Sequence, residues 1–308
     1  MYDLIIIGAG PAGFSAAIYA ARREMKVLMI SREIGGQVAW ASEIENYPGI
    51  PHIGAFDLIA KMQAQIKSLG VEIKNTEVIG LEKRGEKDFV VKTAREEFSG
   101  KTVVLCLGLT PRKLGIPSED AFAGKGVSYC ANCDGPLYKG KIIGVVGGGN
   151  AALDAAEVLS KIGSQVYLFM RSNKFRAFDK LVEEVKNRPN IKIFQNTEVR
   201  EILGDGKMEK LLVENNQTGE RQELPADALF IEIGREAKTE MPRCLIDRDE
   251  YGHIEVDLKC QTKTPGLFAA GDTTALSEFK QITVAVGQGT IAALAAYQYL
   301  QDGGVYYK

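Results

Sequence analysis

Histidine is almost missing from this chain: His52 and His253 are the only two, isolated from each other, and Trp40 is the single tryptophan. A structural zinc site needs four ligands, drawn mainly from cysteine and histidine, so this chain has little to build one with. An excess of either charge is lacking as well, since 38 basic residues face 40 acidic ones for a net charge of −2. That balance supplies no whole-chain basic field of the kind that attracts nucleic acid or anionic membranes, and a neutral small molecule or a protein fits better as partner. The apolar run in Met1-Tyr2-Asp3-Leu4-Ile5-Ile6-Ile7-Gly8 is short, has no basic stretch before it and ends on glycine. It fits neither a secretion signal nor a membrane anchor, and the cytoplasm is the expected compartment. Cysteine is scarce too: five in 308 residues is an odd number, with only Cys130 and Cys133 close together, unlike a secreted disulfide framework.

At 308 residues and 45% hydrophobic content the chain exceeds the size at which one core usually stops growing, so two domains are expected. The pattern along the chain agrees. Leu4-Ile5-Ile6-Ile7 is a continuous apolar run that leads into Gly8-Ala9-Gly10-Pro11-Ala12-Gly13, an Ala-rich stretch from Phe14 to Arg23, and a second run at Val27 to Ile30. This reads as strand, tight turn, helix, strand. The same order recurs at Ile142 to Val146, Gly147-Gly148-Gly149-Asn150-Ala151-Ala152, a helix-like Leu153 to Lys161, and Gln165 to Met170. Between the two units, residues 76–104 alternate short β-prone segments with glycine and charge. The proline-bearing stretch 110–117 reads as the crossing into the second domain, and 234–242 as the way out. The end of the chain, with Gly271-Asp272 and an Ala-rich helix from Thr283 to Tyr299, should return to the first domain.

Gly8-x-Gly10-x-x-Gly13 supplies a tight turn, a position without Cβ where backbone can approach a pyrophosphate, and close helix–strand packing. The acid that binds a ribose hydroxyl in such units is expected from Glu33, because Ser31 occupies the usual position. The second unit carries Gly147-x-Gly149-x-x-Ala152 and ends on Met170-Arg171-Ser172-Asn173-Lys174-Phe175-Arg176. Three cations there suit a 2′-phosphate, which favours NADPH over NADH; a solvated basic turn is the alternative. Cys130-Ala131-Asn132-Cys133 has the spacing of a small exchangeable disulfide in which one thiol is acidified, with zinc as the competing reading. Asp134 directly after it is a candidate proton donor and acceptor, or a turn residue with Gly135-Pro136. Cys106 lies in an apolar run as a small core residue, and His52 and His253 read as surface residues.

Taken together, Gly8 to Gly13, Gly35-Gly36-Gln37, Glu45-Asn46-Tyr47-Pro48-Gly49, Ser128-Tyr129-Cys130-Ala131-Asn132-Cys133-Asp134-Gly135 and Gly271-Asp272 closely resemble the bacterial and archaeal thioredoxin reductases. The resemblance implies an α/β fold of two Rossmann-like, three-layer ββα domains, the second inserted into the first. An FAD-binding domain would comprise 1–112 and 243–308, and an NAD(P)H-binding domain with the cysteines 113–242. It implies FAD held by Gly8, Gly10, Pro11, Ala12, Gly13, Glu33, Gly36, Gln37, Asn46, Gly271, Asp272, Gln281 and Ile282, and the dinucleotide by Gly147, Gly149, Asn150, Ala151, Arg171 and Arg176. Cys133 would face the flavin, Cys130 would attack the disulfide of thioredoxin or a thioredoxin-like protein, and Asp134 would move the protons. Rotation of the second domain between half-reactions and a homodimer are further implications, with no metal, nucleic acid or membrane involved.

The resemblance breaks at one place. The family's His-Arg-Arg-x-x-x-Arg becomes Met170-Arg171-Ser172 with Arg176 retained. Loss of one charge-assisted contact of about 1.5–3 kcal/mol weakens NADPH binding by roughly one to two orders of magnitude. NADH or reduced ferredoxin then stands as an alternative donor, as does a dithiol oxidase that runs the cysteines in reverse, or a non-catalytic nucleotide-binding redox sensor.

Overall fold

The computed structural model describes residues 1–40, 43–116, 118–276 and 278–301; the side chains of Trp40, Glu43 and Cys133, and Pro117 with the C-terminal tyrosines 306 and 307, lie outside the described residues. Two compact units are present, one made of Met1–Thr110 with the chain from Glu236 onward, the other of Pro111–Arg235. The second unit thus ends at Arg235, ahead of the expected limit at 242. Met241 and Leu245 pack on the core of the first unit, and Glu236, Ala237, Lys238, Glu240 and Met241 line a cleft in it, which draws the segment after Arg235 into that unit.

In the first unit the strands run in the order Glu72–Asn75, Val27–Ile34, Tyr2–Ala9, Glu97–Leu105, Asp88–Thr93, Val78–Gly85, and Leu267–Ala269 pairs in parallel with Glu97–Leu105. The run Leu4 to Ile7 is apolar at every position because both faces of its strand are covered. Leu4 and Ile6 face a core shared with the helices, whereas Ile5 and Ile7 face Leu81, Phe89 and Val91 of the antiparallel strands folded over the other side. Helix, parallel sheet and antiparallel strands are therefore three layers.

The second unit repeats the scheme. Its parallel sheet has the order Val127–Ser128, Ala228–Ile231, Ile142–Val146, Gln165–Phe169, Ile191–Phe194, and three antiparallel strands, Thr197–Leu203, Lys210–Asn215 and Arg221–Pro225, form a separate sheet. Ile143 and Val145 join the core under the helix Asn150–Ser160, while Val146 and Phe169 join Val199, Leu211 and Val213 of the antiparallel sheet.

Both nucleotide-type helices start directly at their glycine turns, earlier than the apolar pattern alone suggests. Pro11–Ala21 has Pro11 in its first turn and follows Gly10, and Asn150–Ser160 follows Gly149; neither has a side-chain cap. Their first N–H groups are left to face whatever lies at the turn. Pro11–Ala21 is buried by small residues against Ile282–Gln301, close enough that a Cβ on Gly289 would come within 2.1 Å of the Ala12 carbonyl oxygen.

Candidate functional site

The glycines of the first turn have different reasons to be there. Gly8 has φ +112° and its Cβ would stand 2.1 Å from the Cys106 carbonyl oxygen, and a Cβ on Gly13 would stand 2.0 Å from the Gly8 oxygen. Both are demanded by packing. Around Gly10, by contrast, the nearest atom to an added Cβ is Gly35 O at 4.0 Å, so the fold leaves that position open toward the cleft. The cleft has a volume of about 1380 Å³ and lies wholly within the first unit. This exceeds the roughly 300–1,000 Å³ usual for small-molecule pockets and suits an extended dinucleotide.

Gly8, Gly10, Pro11, Ala12, Glu33, Gly36, Gln37, Asn46, Gly271, Asp272, Gln281 and Ile282 all line this cleft, although they come from opposite ends of the chain. Gly13 sits behind the turn, against Gly8. Gln37 Nε2 donates to Asp272 Oδ2 at 2.8 Å, and Asn46 Nδ2 donates to Gln281 Oε1 at 3.3 Å. Glu33 lies within the strand Val27–Ile34, at the exposed rim, paired with Arg32 at 3.0 Å.

Two residues, one behind the cleft wall and one lining it, carry no signal in the motifs. Gln288, buried in the Ala-rich helix, accepts the Gly271 N–H at 2.8 Å and the Thr274 hydroxyl at 2.9 Å, and so fixes the loop that presents Asp272. Its polarity amid alanines was the available signal. Lys280 Nζ donates to the Thr274 carbonyl at 3.0 Å; burial lowers its pKa, with Asp272 acting in the opposite direction. Cys106 also lines the cleft, and burial, with Cys260 nearby, raises its thiol far above the ordinary range, so it stays a neutral core group. Cys260 is likewise pushed up to about 12 by burial, whereas Cys244 is exposed. His52 is exposed, but His253 departs from the surface expectation: it is half-buried, with Nδ1 2.9 Å from Asp249 Oδ2.

In the second unit, Gly147 adopts φ +146° with Gly148 and Gly149 following, and the basic segment folds back over the turn through a 2.7 Å bond from Arg176 N to Gly148 O. Asn150 Oδ1 accepts the Phe178 N–H at 2.9 Å, while Ala151 is exposed. Arg171, Lys174 and Arg176 are exposed at this place. Met170 is 1% exposed and belongs to the core beneath Gly148, so it is a packing residue with no access to a ligand.

The cysteine motif forms a short helical turn, Ala131–Asp134, in the same unit. Cys130 is disulfide-bonded; the side chain of Cys133 lies outside the described residues. Ser128 organises the turn: its Oγ donates to Asp134 Oδ2 at 2.6 Å and accepts the Cys130 N–H at 3.1 Å. Asp134 is thereby held beside the cysteine it would serve. Neighbouring Tyr129 donates to the buried Glu119 at 2.5 Å, and Glu119 also accepts the Gly115 N–H at 2.9 Å. Ser128 carries no chemical signal within the motif; its role depends on the bend that brings it to Asp134. Among the described residues no cluster of three metal-ligating side chains exists, and no helix is long and apolar enough to cross a membrane.

Comparison with known proteins gives a consistent set of likenesses. The model of the pyridine nucleotide-disulphide oxidoreductase family matches residues 2–289. A protein of Clostridium pasteurianum described as a 34.2 kDa protein in the rubredoxin operon is 38% identical over 299 residues, covering 97% of each chain. The thioredoxin reductase of Treponema pallidum is 38% identical over 302 residues, again covering 97% of each. Among solved structures, Lactococcus lactis thioredoxin reductase in its FR conformation has a TM-score of 0.86 at 38% identity, with 98% of this chain and 100% of that one covered.

Proposed function

The chain belongs to the pyridine nucleotide-disulphide oxidoreductase family, and we propose that within it this protein reduces the disulfide of thioredoxin or a thioredoxin-like protein. The observation that carries the reading is the turn in which Cys130 is disulfide-bonded while Ser128 holds Asp134 beside it. Bound FAD and a reduced pyridine nucleotide would supply the two electrons that open this disulfide.

The open position at Gly10 and the uncapped start of Pro11–Ala21 suit the FAD pyrophosphate. Pro11, Ala12, Gly8 and Gly13 shape that turn, Glu33 would meet a ribose hydroxyl, and Gly36, Gln37, Asn46, Gly271, Asp272, Gln281 and Ile282 would line the rest. In the second unit, Gly147, Gly149, Asn150 and Ala151 would receive the second pyrophosphate. Arg171 and Arg176, with Lys174, offer cations to a 2′-phosphate, which favours NADPH as donor. Because Met170 lies in the core, the missing histidine has no substitute at that position.

Once reduced, Cys130 attacks a sulfur of the partner's disulfide as the thiolate and forms a mixed disulfide. Cys133 then attacks Cys130, which restores the internal disulfide and releases the partner as a dithiol. Asp134 takes and returns the protons that this exchange moves. A cytoplasmic homodimer is the assembly and setting that fit the family.

A coupled assay with reduced nucleotide, thioredoxin and a chromogenic disulfide tests the proposal. Turnover that needs thioredoxin and runs at lower KM with NADPH than NADH is expected. Flavin reduction with no transfer to any thioredoxin would refute it.

A further inference from the structure

The strand Val127–Ser128 leads into the cysteine turn, and it is only two residues long and lies at the edge of its sheet, beside Ala228–Ile231. Pairing of that length is a weak hold on the chain that enters Cys130. Tyr129 supplies a second hold: it is half-buried against the core of the unit and donates its hydroxyl to Glu119 Oε1 at 2.5 Å. Glu119 Oε2 accepts the Gly115 N–H at 2.9 Å, and Leu114 and Ile116 on either side of Gly115 pack on the same core. One carboxylate thus ties the residue before Cys130 to a segment that is itself anchored.

Glu119 is 2% exposed. A buried carboxylate is costly unless it is well paired, yet among the described residues no ion pair to Glu119 exists; Lys113 pairs with the exposed Asp120 instead. Gly115 is exposed and Tyr129 only half-buried, so water would serve both donors if residue 119 were apolar. Core packing therefore does not account for an acid there, and what the acid adds is a fixed link. Burial, and then the bond to Glu119, raise the Tyr129 phenol above its ordinary value, so its hydroxyl remains a donor throughout the neutral range.

We propose that Glu119 and Tyr129 are positioning residues of the redox pair: the link from Gly115 through Glu119 to Tyr129 keeps Cys130 in place after its disulfide opens, so that Cys133 recloses on it. The inference rests on the redox reading of the two cysteines given above. Opening the disulfide takes up two electrons and two protons and yields two thiols. The more freely Cys130 then moves, the lower the effective concentration of one sulfur at the other, and the less favourable reclosure becomes. Loss of the link therefore shifts the pair toward the dithiol.

Two variants test this. Tyr129→Phe keeps the ring and removes the hydroxyl. Glu119→Gln removes the charge but keeps a partner for both groups, its oxygen accepting the Gly115 N–H and its amide donating to the Tyr129 oxygen. Each holoenzyme is equilibrated anaerobically with mixtures of reduced and oxidised dithiothreitol at neutral pH, then quenched and alkylated, and the dithiol fraction is read by mass spectrometry. The equilibrium constant of Tyr129→Phe should move roughly threefold to tenfold toward the dithiol, about 14–30 mV in potential, as expected for one hydrogen bond. Glu119→Gln should stay within about twofold of wild type. A Tyr129→Phe constant within twofold of wild type or moved toward the disulfide, or a Glu119→Gln constant shifted as far as that of Tyr129→Phe, would overturn the proposal. If Tyr129→Phe does not fold, amide hydrogen exchange of wild type decides: protection of the Gly115 and Cys130 N–H groups that survives reduction supports the link, and its loss on reduction overturns it. If dithiothreitol yields no dithiol in wild type, the redox reading itself has failed, and this inference falls with it.

Discussion

Replacing Ser128 by alanine removes one hydroxyl and leaves two groups without it: the Asp134 carboxylate, to which it donates at 2.6 Å, and the Cys130 N–H, which it accepts at 3.1 Å. An O–H···O⁻ contact of that length lies in the charge-assisted range, and such bonds contribute about 1.5–3 kcal/mol net. Ser128 is 5% exposed, so water has little room to take its place. If Asp134 must stand beside the cysteines to move protons, the rate of exchange with thioredoxin should fall roughly 10- to 150-fold, at about 1.4 kcal/mol per factor of ten. The cleft proposed to hold FAD is in the other unit, so flavin content, read from the visible to ultraviolet absorbance ratio, should not change. Stopped-flow reoxidation of the reduced enzyme by thioredoxin measures the step directly. Ser128→Thr, which keeps the hydroxyl, should recover most of the rate. An alanine variant within twofold of wild type would refute the claim that Ser128 positions Asp134.

Serine at Cys130 or at Cys133 should reduce thioredoxin turnover to background while reduced nucleotide still bleaches the flavin, as seen in anaerobic spectra. Alanine at both Arg171 and Arg176 should narrow the preference for NADPH over NADH by roughly tenfold or more, measured as the ratio of kcat/KM values. Gly10→Ala has room for its Cβ and should fold with a nearly unchanged Tm yet bind FAD at least about tenfold more weakly, whereas Gly13→Ala meets the Gly8 oxygen at 2.0 Å and should lose soluble expression. Glu232, raised by burial from an ordinary carboxyl value to about 7, binds its proton more tightly when folded, so its contribution is fully present below about pH 4.5 and is lost as pH rises toward 7. Glu232→Gln should therefore be more stable than wild type at pH 8, by roughly 3 kcal/mol at most, and equal to it near pH 4.5, as urea melts would show.

Much of this architecture is legible in the chain because it depends on local rules. Two glycine turns between apolar strands and Ala-rich helices announce two nucleotide-type units, and the Cys-x-x-Cys before the second turn locates the proposed redox pair. What could not be read depends on contacts between distant segments. Gln37 meets Asp272 across most of the chain, and Gln288 supports Gly271 from a helix that otherwise reads as plain packing. Met170 stands where the family has a phosphate-binding histidine, but only the fold shows its side chain turned into the core under Gly148. The unit boundary at Arg235 likewise follows from where Met241 packs, which no composition shift near Pro242 reveals.

The most direct test is anaerobic titration of the purified protein with NADPH, followed by oxidised thioredoxin, while the flavin absorbance is recorded. Bleaching by NADPH and recovery of colour on adding thioredoxin is the expected result for wild type, with bleaching kept and recovery lost in Cys130→Ser. Bleaching by dithiothreitol but by neither NADPH nor NADH would contradict the proposed donor, and bleaching by NADPH with no recovery on any thioredoxin would contradict the proposed reductase.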